Sequence, residues 1–189
     1  DWQQGRTTFG GLISTLAVQA MRDVAGSAWP EGVSLRSLQT SFIGPVTAGT
    51  LDVTVHVLRE GKNVRQIQAL VQQAGQTAAH LLGVFGAPRE TVVSAYEPAQ
   101  PPAQRSPEES MAVPNIPGLT PNFLAHIDAR WAEGKPPFSG TDSWSSRIHL
   151  RLHADDAQLP SELIAVLLAD VPPTPVLSRF TRPTPASSV

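Results

Sequence analysis

An α+β fold is predicted by the order in which apolar residues recur along the chain. A long apolar run with helical spacing comes first, alternating runs joined by tight turns follow it, and after a proline-rich interval come two more alternating runs and a second apolar run with helical spacing. Strands joined by turns of a few residues must pair antiparallel, so one helix followed by a meander excludes a parallel α/β arrangement.

The helix is Gly10 to Val24, GGLISTLAVQAMRDV, entered from the turn-like segment Trp2 to Phe9. Leu12, Ile13, Leu16, Ala17, Ala20, Met21 and Val24 recur at helical spacing, and Val18 broadens the stripe until only Ser14, Thr15, Gln19, Arg22 and Asp23 remain for a polar face. Such a helix has to be covered on most sides. At roughly 22 Å it matches what one curved antiparallel sheet can wrap. Gly10 and Gly11 weaken its start, but they let other backbone approach and leave N–H groups unpaired, which suits a carbonyl or anion. The alternative is that the pair only relieves crowding where helix meets sheet.

Gly26 to Gly32 is rich in turn residues, and Val33 to Phe42 then reads as extended. Thr50 to Leu58 alternates, with Leu51, Val53, Val55 and Val57 on one side. Arg59 to Lys62 is a hairpin connection, Val64 to Gln73 alternates again, and Ala74-Gly75-Gln76 turns the chain into Thr77 to Phe85. Composition shifts at Pro98 to Pro121, which carries seven prolines and few large apolar residues and reads as a surface linker. Beyond it, Phe123 to Trp131 and Ser145 to His153 are expected strands, and Leu159 to Val171 is helical by pattern until Pro172-Pro173 ends it. The division expected is residues 1–97, a linker at 98–121, and a second unit at 122–189.

Composition narrows the function. A net charge of -2, a pI near 6.2 and no basic block argue against nucleic acid as the partner. Zero cysteines exclude disulfides, thiolate metal sites and thiol catalysis, and are compatible with a cytoplasmic location. No apolar run is long enough to span a membrane. The five histidines sit singly, without the carboxylate spacing of a metal site, so no metal and no cofactor are expected. No Gly-x-Ser-x-Gly elbow or phosphate-binding loop occurs. Trp2, Trp29, Trp131 and Trp144 are candidates for an apolar channel or for core edges.

The two helices resemble each other. Leu12-Ile-Ser14-Thr-Leu16 matches Leu159-Pro-Ser161-Glu-Leu163, and Asp23-Val24 matches Asp170-Val171 at the same offset. Taken as a repeat, this gives two copies of one helix-plus-sheet unit, with a first strand expected before Asp1 and further strands after Val189. With Arg6 to Gly11, Thr40 to Pro45, Leu58 to Asn63, Phe123 to Gly140 and Leu167 to Val171 in this order, the chain resembles the double-hotdog acyl-CoA thioesterase II family. The resemblance implies two curved sheets, each wrapped around a central helix and joined side by side, the second incomplete here.

It also implies hydrolysis of acyl-CoA thioesters, with acyl-CoA as substrate and no cofactor. In that family an aspartate near the end of the second helix, with a Ser or Thr and a Gln from neighbouring strands, orients a water. Asp170 matches the aspartate and Ser188 the hydroxyl, with Ser187 as the neighbouring alternative, while the Gln would lie beyond Val189. Gly10 and Gly11 become the expected substrate-binding positions. Asp23 is the counterpart of Asp170 in the first unit, but Thr77 to Phe85 offers Val84 where a Gln would be needed, which makes that unit the scaffold. Pairing of chains into a homo-oligomer is an expectation from resemblance alone. A non-catalytic hotdog module that binds acyl groups or a protein is the competing reading. A hydratase, which needs a His and an acid at the helix entrance, finds neither in Phe9-Gly10-Gly11.

Overall fold

The computed structural model describes residues 1–90, 92–93, 105–153 and 159–184. Strands β1 (Gln3–Gln4) and β2 (Thr7–Thr8) form a miniature antiparallel ladder around Gly5, so the entry segment is a hairpin rather than a simple turn. The positive φ of Gly5, 66°, is what such a tight reversal requires. Helix α1 (Gly10–Ala25) follows, and then β3 (Ser34–Phe42), β4 (Asp52–Glu60), β5 (Val64–Gln73) and β6 (Gln76–Gly86). These four strands form one antiparallel sheet in the order β3-β6-β5-β4. The hairpin joining β5 to β6 has Ala74 and Gly75 at its tip, both with positive φ, as a two-residue turn matched to strand twist demands.

The sheet curves around α1. Ile67, Ala69 and Val71 of β5 and Leu81 and Phe85 of β6 meet Ile13, Ala17, Val18 and Met21, all buried. Gly83 makes the close approach feasible, because a β-carbon there would lie 2.9 Å from Met21 Sδ. The rotation of α1 differs from the expected stripe. Leu16 and Val24 are exposed, at 44% and 62%, whereas Ser14 and Thr15 are buried. Thr15 satisfies its hydroxyl by donating to the Gly11 carbonyl at 2.8 Å, so burial costs it no hydrogen bond.

The C-terminal part holds β7 (Met111–Ala112), β8 (Ile127–Glu133), β9 (Arg147–Leu152) and helix α2 (Ser161–Ala169). Two expectations are corrected here. The proline-rich interval contributes β7, which pairs with β8 because residues between Pro107 and Pro114 keep their N–H groups, and Val113 extends the contact by donating to the Ala129 carbonyl. The run from Phe123 is not strand throughout: Asn122–His126 is a 3-10 turn, and only Ile127–Glu133 is extended. That turn brings Phe123 and Ile127 inward together and stacks Phe123 on Phe9, with ring centroids 4.0 Å apart. A further 3-10 turn, Pro175–Arg179, follows α2.

Each half supplies a core residue to the other. Leu163 of α2 lies within the apolar cluster that α1 forms with the four-stranded sheet, and Phe9 lies within the cluster of Phe123, Ile127, Leu152, Leu167 and Val171. Among the described residues, no helix is long and apolar enough to cross a membrane.

Candidate active site

Helices α1 and α2 pack antiparallel, because the start of α1 meets the end of α2 while Arg22 meets Glu162. Gly10 and Gly11 are what let the first of these contacts form. A β-carbon on Gly11 would sit 2.5 Å from the Leu167 carbonyl oxygen, and one on Gly10 would sit 2.7 Å from Asp170 Oδ2 and 2.6 Å from Phe42 Cζ. The glycine pair, the end of the second helix and the last residue of β3 therefore converge on one point. Crowding relief and an open helix start are the same feature here.

Asp170 caps α2 at φ -94° and ψ 0°, just before Pro172-Pro173 end any continuation. Its half-buried carboxyl has a raised pKa. Burial is the cause, and the Gly11 backbone N–H beside it offsets the shift only in part. The position reverses the local electrostatics. A carboxylate at the C-terminus of its own helix is disfavoured by that helix dipole, but here it faces the N-terminus of α1, where N–H groups point outward and negative charge is favoured.

A cavity of about 660 Å³ runs from this point between α1, β3 and α2. Ser14, Thr40, Phe42 and Asp170 line one end, and Leu38 and Val166 line its flank. Ser14 stands one helical turn from Gly10, so its hydroxyl shares the face that meets Asp170. Its assignment to a polar outer face was wrong, although the four-residue spacing from Gly10 was the signal that could have placed it. Thr40 and Phe42 fall in the segment Thr40 to Pro45 that carries the resemblance, which gave neither residue a role at the site.

Glu162, at the far end, is held in an ion pair. Arg22 Nη2 lies 2.7 Å from Glu162 Oε2 and 2.9 Å from Oε1, Arg22 Nε lies 3.0 Å from Oε1, and Leu35 N donates to Oε2 at 2.6 Å. Arg22 Nη1 also donates to the Val33 carbonyl, and the guanidinium lies over the rings of Trp29 and Phe85. α1, α2 and β3 are thus tied together at one carboxylate.

The other sequence candidates lie elsewhere. Ser188 and Ser187 are outside the described residues. Asp23 is exposed and accepts from Gln19 Nε2 at 2.6 Å, with no share in the cavity. None of the four tryptophans lines the cavity: Trp2 stacks on His126, Trp29 tilts against Phe85, Trp131 is buried, and Trp144 lies under Arg179. Among the described residues, no group of three or more His, Asp or Glu side chains is placed to hold a metal.

Curved antiparallel strands around a central helix, with a second helix packed against its start, define the hotdog class. Residues 1–86 match the family model of the acyl-CoA thioesterase N-terminal domain, and residues 99–189 match that of the acyl-CoA thioesterase C-terminal domain. The chain belongs to this acyl-CoA thioesterase family. No protein of curated description matches it. Among solved structures, a hot dog fold protein of unknown function from Alicyclobacillus acidocaldarius is similar at TM-score 0.79 and 17% identity, over 97% of this chain and 66% of that one. An acyl-CoA thioesterase II, TesB2, from Mycobacterium marinum is similar at TM-score 0.60 and 16% identity, over 86% of this chain and 59% of that one. The Mycobacterium avium subs paratuberculosis tesB protein is similar at TM-score 0.59 and 22% identity, over 88% of this chain and 57% of that one. These identities speak to fold, and the chain spans less than two thirds of the length of each of these structures.

Proposed function

We propose that the protein hydrolyses acyl-CoA thioesters to the free acid and CoA, with Asp170 as water anchor and general base. The single observation that supports this best is the meeting of the Asp170 carboxyl with Gly10 and Gly11 at the end of a largely apolar cavity. In this reading the carboxylate orients a water and takes its proton as the oxygen attacks the thioester carbon. The carbonyl oxygen becomes an oxyanion, which the Gly10 N–H at the start of α1 stabilises, since the Gly11 N–H meets Asp170 and the Leu12 and Ile13 N–H groups donate to the Phe9 carbonyl. Collapse of the intermediate breaks the C–S bond, and the proton passes from Asp170 to the departing CoA thiolate. Ser188 supplies a hydroxyl to the same water in this scheme, and no covalent serine intermediate is involved. A mostly apolar site raises the carboxyl pKa and so makes the carboxylate a stronger base than a solvated aspartate.

The partner is acyl-CoA and not nucleic acid, in keeping with the net charge of -2. A cytoplasmic setting and pairing of chains into a homo-oligomer belong to the same proposal. The test is thiol release from short, medium and long acyl-CoAs by the full-length protein and by Asp170→Asn. A fall of at least about a hundredfold, or about 2.7 kcal/mol of transition-state stabilisation, is expected. Turnover unaffected by the substitution would move the site away from Asp170. Tight binding of acyl-CoA with no thiol release would make the chain part of a non-catalytic acyl-binding module.

A further inference from the structure

Two neighbouring hydroxyls are buried on α1, and one of them is satisfied within the helix while the other is not. Thr15 donates to the Gly11 carbonyl at 2.8 Å, the ordinary outlet for a hydroxyl inside a helix. Ser14 is just as buried, 6% exposed against 5%, yet its Oγ has no hydrogen-bond partner among the described residues. A buried polar group left unpaired costs stability, so native structures keep few of them, and each calls for a reason. The Ser14 side chain lines the groove between α1, β3 and α2, at the end that holds Asp170. Its hydroxyl is therefore presented to the groove rather than to the backbone of its own helix.

Ser14 follows Gly10 by one helical turn, about 6 Å along the axis, and side chains on a helix lean toward its N-terminus. The hydroxyl thus leans back toward Gly10, where an added β-carbon would meet Asp170 Oδ2 at 2.7 Å. Of the first four N–H groups of α1, that of Gly11 faces Asp170, and those of Leu12 and Ile13 donate to the Phe9 carbonyl at 3.1 and 3.3 Å, which leaves Gly10 alone. A single N–H is a weak cradle for an oxyanion, because developing negative charge is held best by several preorganised donors in a water-poor site. We propose that the Ser14 hydroxyl is a second donor to the thioester carbonyl oxygen, a catalytic contact beside the Gly10 N–H. This rests on the reading that the thioester carbonyl sits between Asp170 and the start of α1. The hydroxyl forms and breaks no covalent bond and keeps its proton throughout. It donates to the carbonyl of the bound substrate and more strongly to the oxyanion. Its burial without a partner is then tolerated because the acceptor arrives with the substrate.

The experiment takes two readouts on the full-length protein. Ser14→Ala removes the donor and places a better helix former in α1, so it is expected to melt no lower than the parent while losing about a hundredfold in kcat with little change in KM. Ser14→Cys keeps the shape with a much weaker donor, is expected to behave in the same way, and carries the test if the alanine variant does not fold. The second readout is the carbonyl stretch of a bound acyl-CoA isotopically labelled at the thioester carbonyl, recorded by difference infrared on Asp170→Asn so that the substrate survives. A hydrogen bond lowers that frequency, and adding Ser14→Ala is expected to return part of the shift, the Gly10 N–H holding the remainder. A parent-like kcat in Ser14→Ala, a fall in kcat accompanied by a lower melting temperature, or a carbonyl band that the substitution does not move overturns the contact. A Ser14-dependent band without thiol release from the parent protein at any chain length overturns the hydrolase reading while leaving the contact in place.

Discussion

Asp170 is a residue whose ionisation the fold opposes and whose proposed role needs it. Its pKa is raised above the ordinary 3.8 because burial disfavours the charged form. For the proposed base to act it must be ionised, so the acidic limb of the kcat/KM profile should have its midpoint above the ordinary aspartate value, and Asp170→Asn should abolish that limb along with most of the activity. The sign for stability is opposite. A folded state that holds a proton more tightly than the unfolded chain loses stability as pH rises from the unfolded pKa through the folded one. Asp170→Asn should therefore melt at a higher temperature than the parent at neutral pH, with the gap closing below the ordinary carboxylate range. Thermal melts at the two pH values check this, and a variant that loses activity and stability together at neutral pH would contradict it. Gly10→Ala tests the same point sterically. Its β-carbon would displace Asp170 Oδ2 and the Phe42 ring, so turnover should fall more than substrate affinity, which the split between kcat and KM reads out.

At the scale of elements, the antiparallel packing of α1 on α2 depends on small residues at one end and on charge at the other. Gly11→Ala forces a β-carbon against the Leu167 carbonyl, a backbone atom that cannot rotate away, so a loss of about 1–3 kcal/mol is expected from denaturant unfolding. Arg22→Ala leaves the half-buried Glu162 carboxylate with the Leu35 N–H as its remaining partner, and hydrogen bonds to charged groups set the expected loss at about 1.5–3 kcal/mol. Much of each strand was legible in alternation: Val64–Gln73 is reproduced to the residue, and the neighbouring strands differ only at their ends. The misplaced elements share one cause. Whether Leu16 or Ser14 faces inward, and whether Phe123 begins a strand or a turn, depends on a partner from the other half of the chain, and residue periodicity carries no information about that partner.

At the scale of the molecule, the exchange of Phe9 and Leu163 between the two apolar clusters couples the halves. Phe9 is fully buried and stacked on Phe123, so Phe9→Ala should cost about 3–5 kcal/mol and should loosen the C-terminal half, from which it is distant in sequence. Hydrogen exchange in β8 and β9 would report that loosening. A loss confined to residues near Phe9 would show that the halves are energetically separate.

The sequence by itself determined the fold class, the family, the helix and strand order, and the residue types able to do the chemistry, because periodicity, turn residues and the absence of cysteine are local properties. Only the tertiary structure decided that Gly10, Gly11 and Asp170 meet. They are some 160 positions apart in the chain, and what brings them together is the antiparallel packing of two helices, with a glycine pair at one end and an Arg–Glu pair at the other. The same packing gives Asp170 its raised pKa, since neither its burial nor the opposing helix start exists until the two halves share a core.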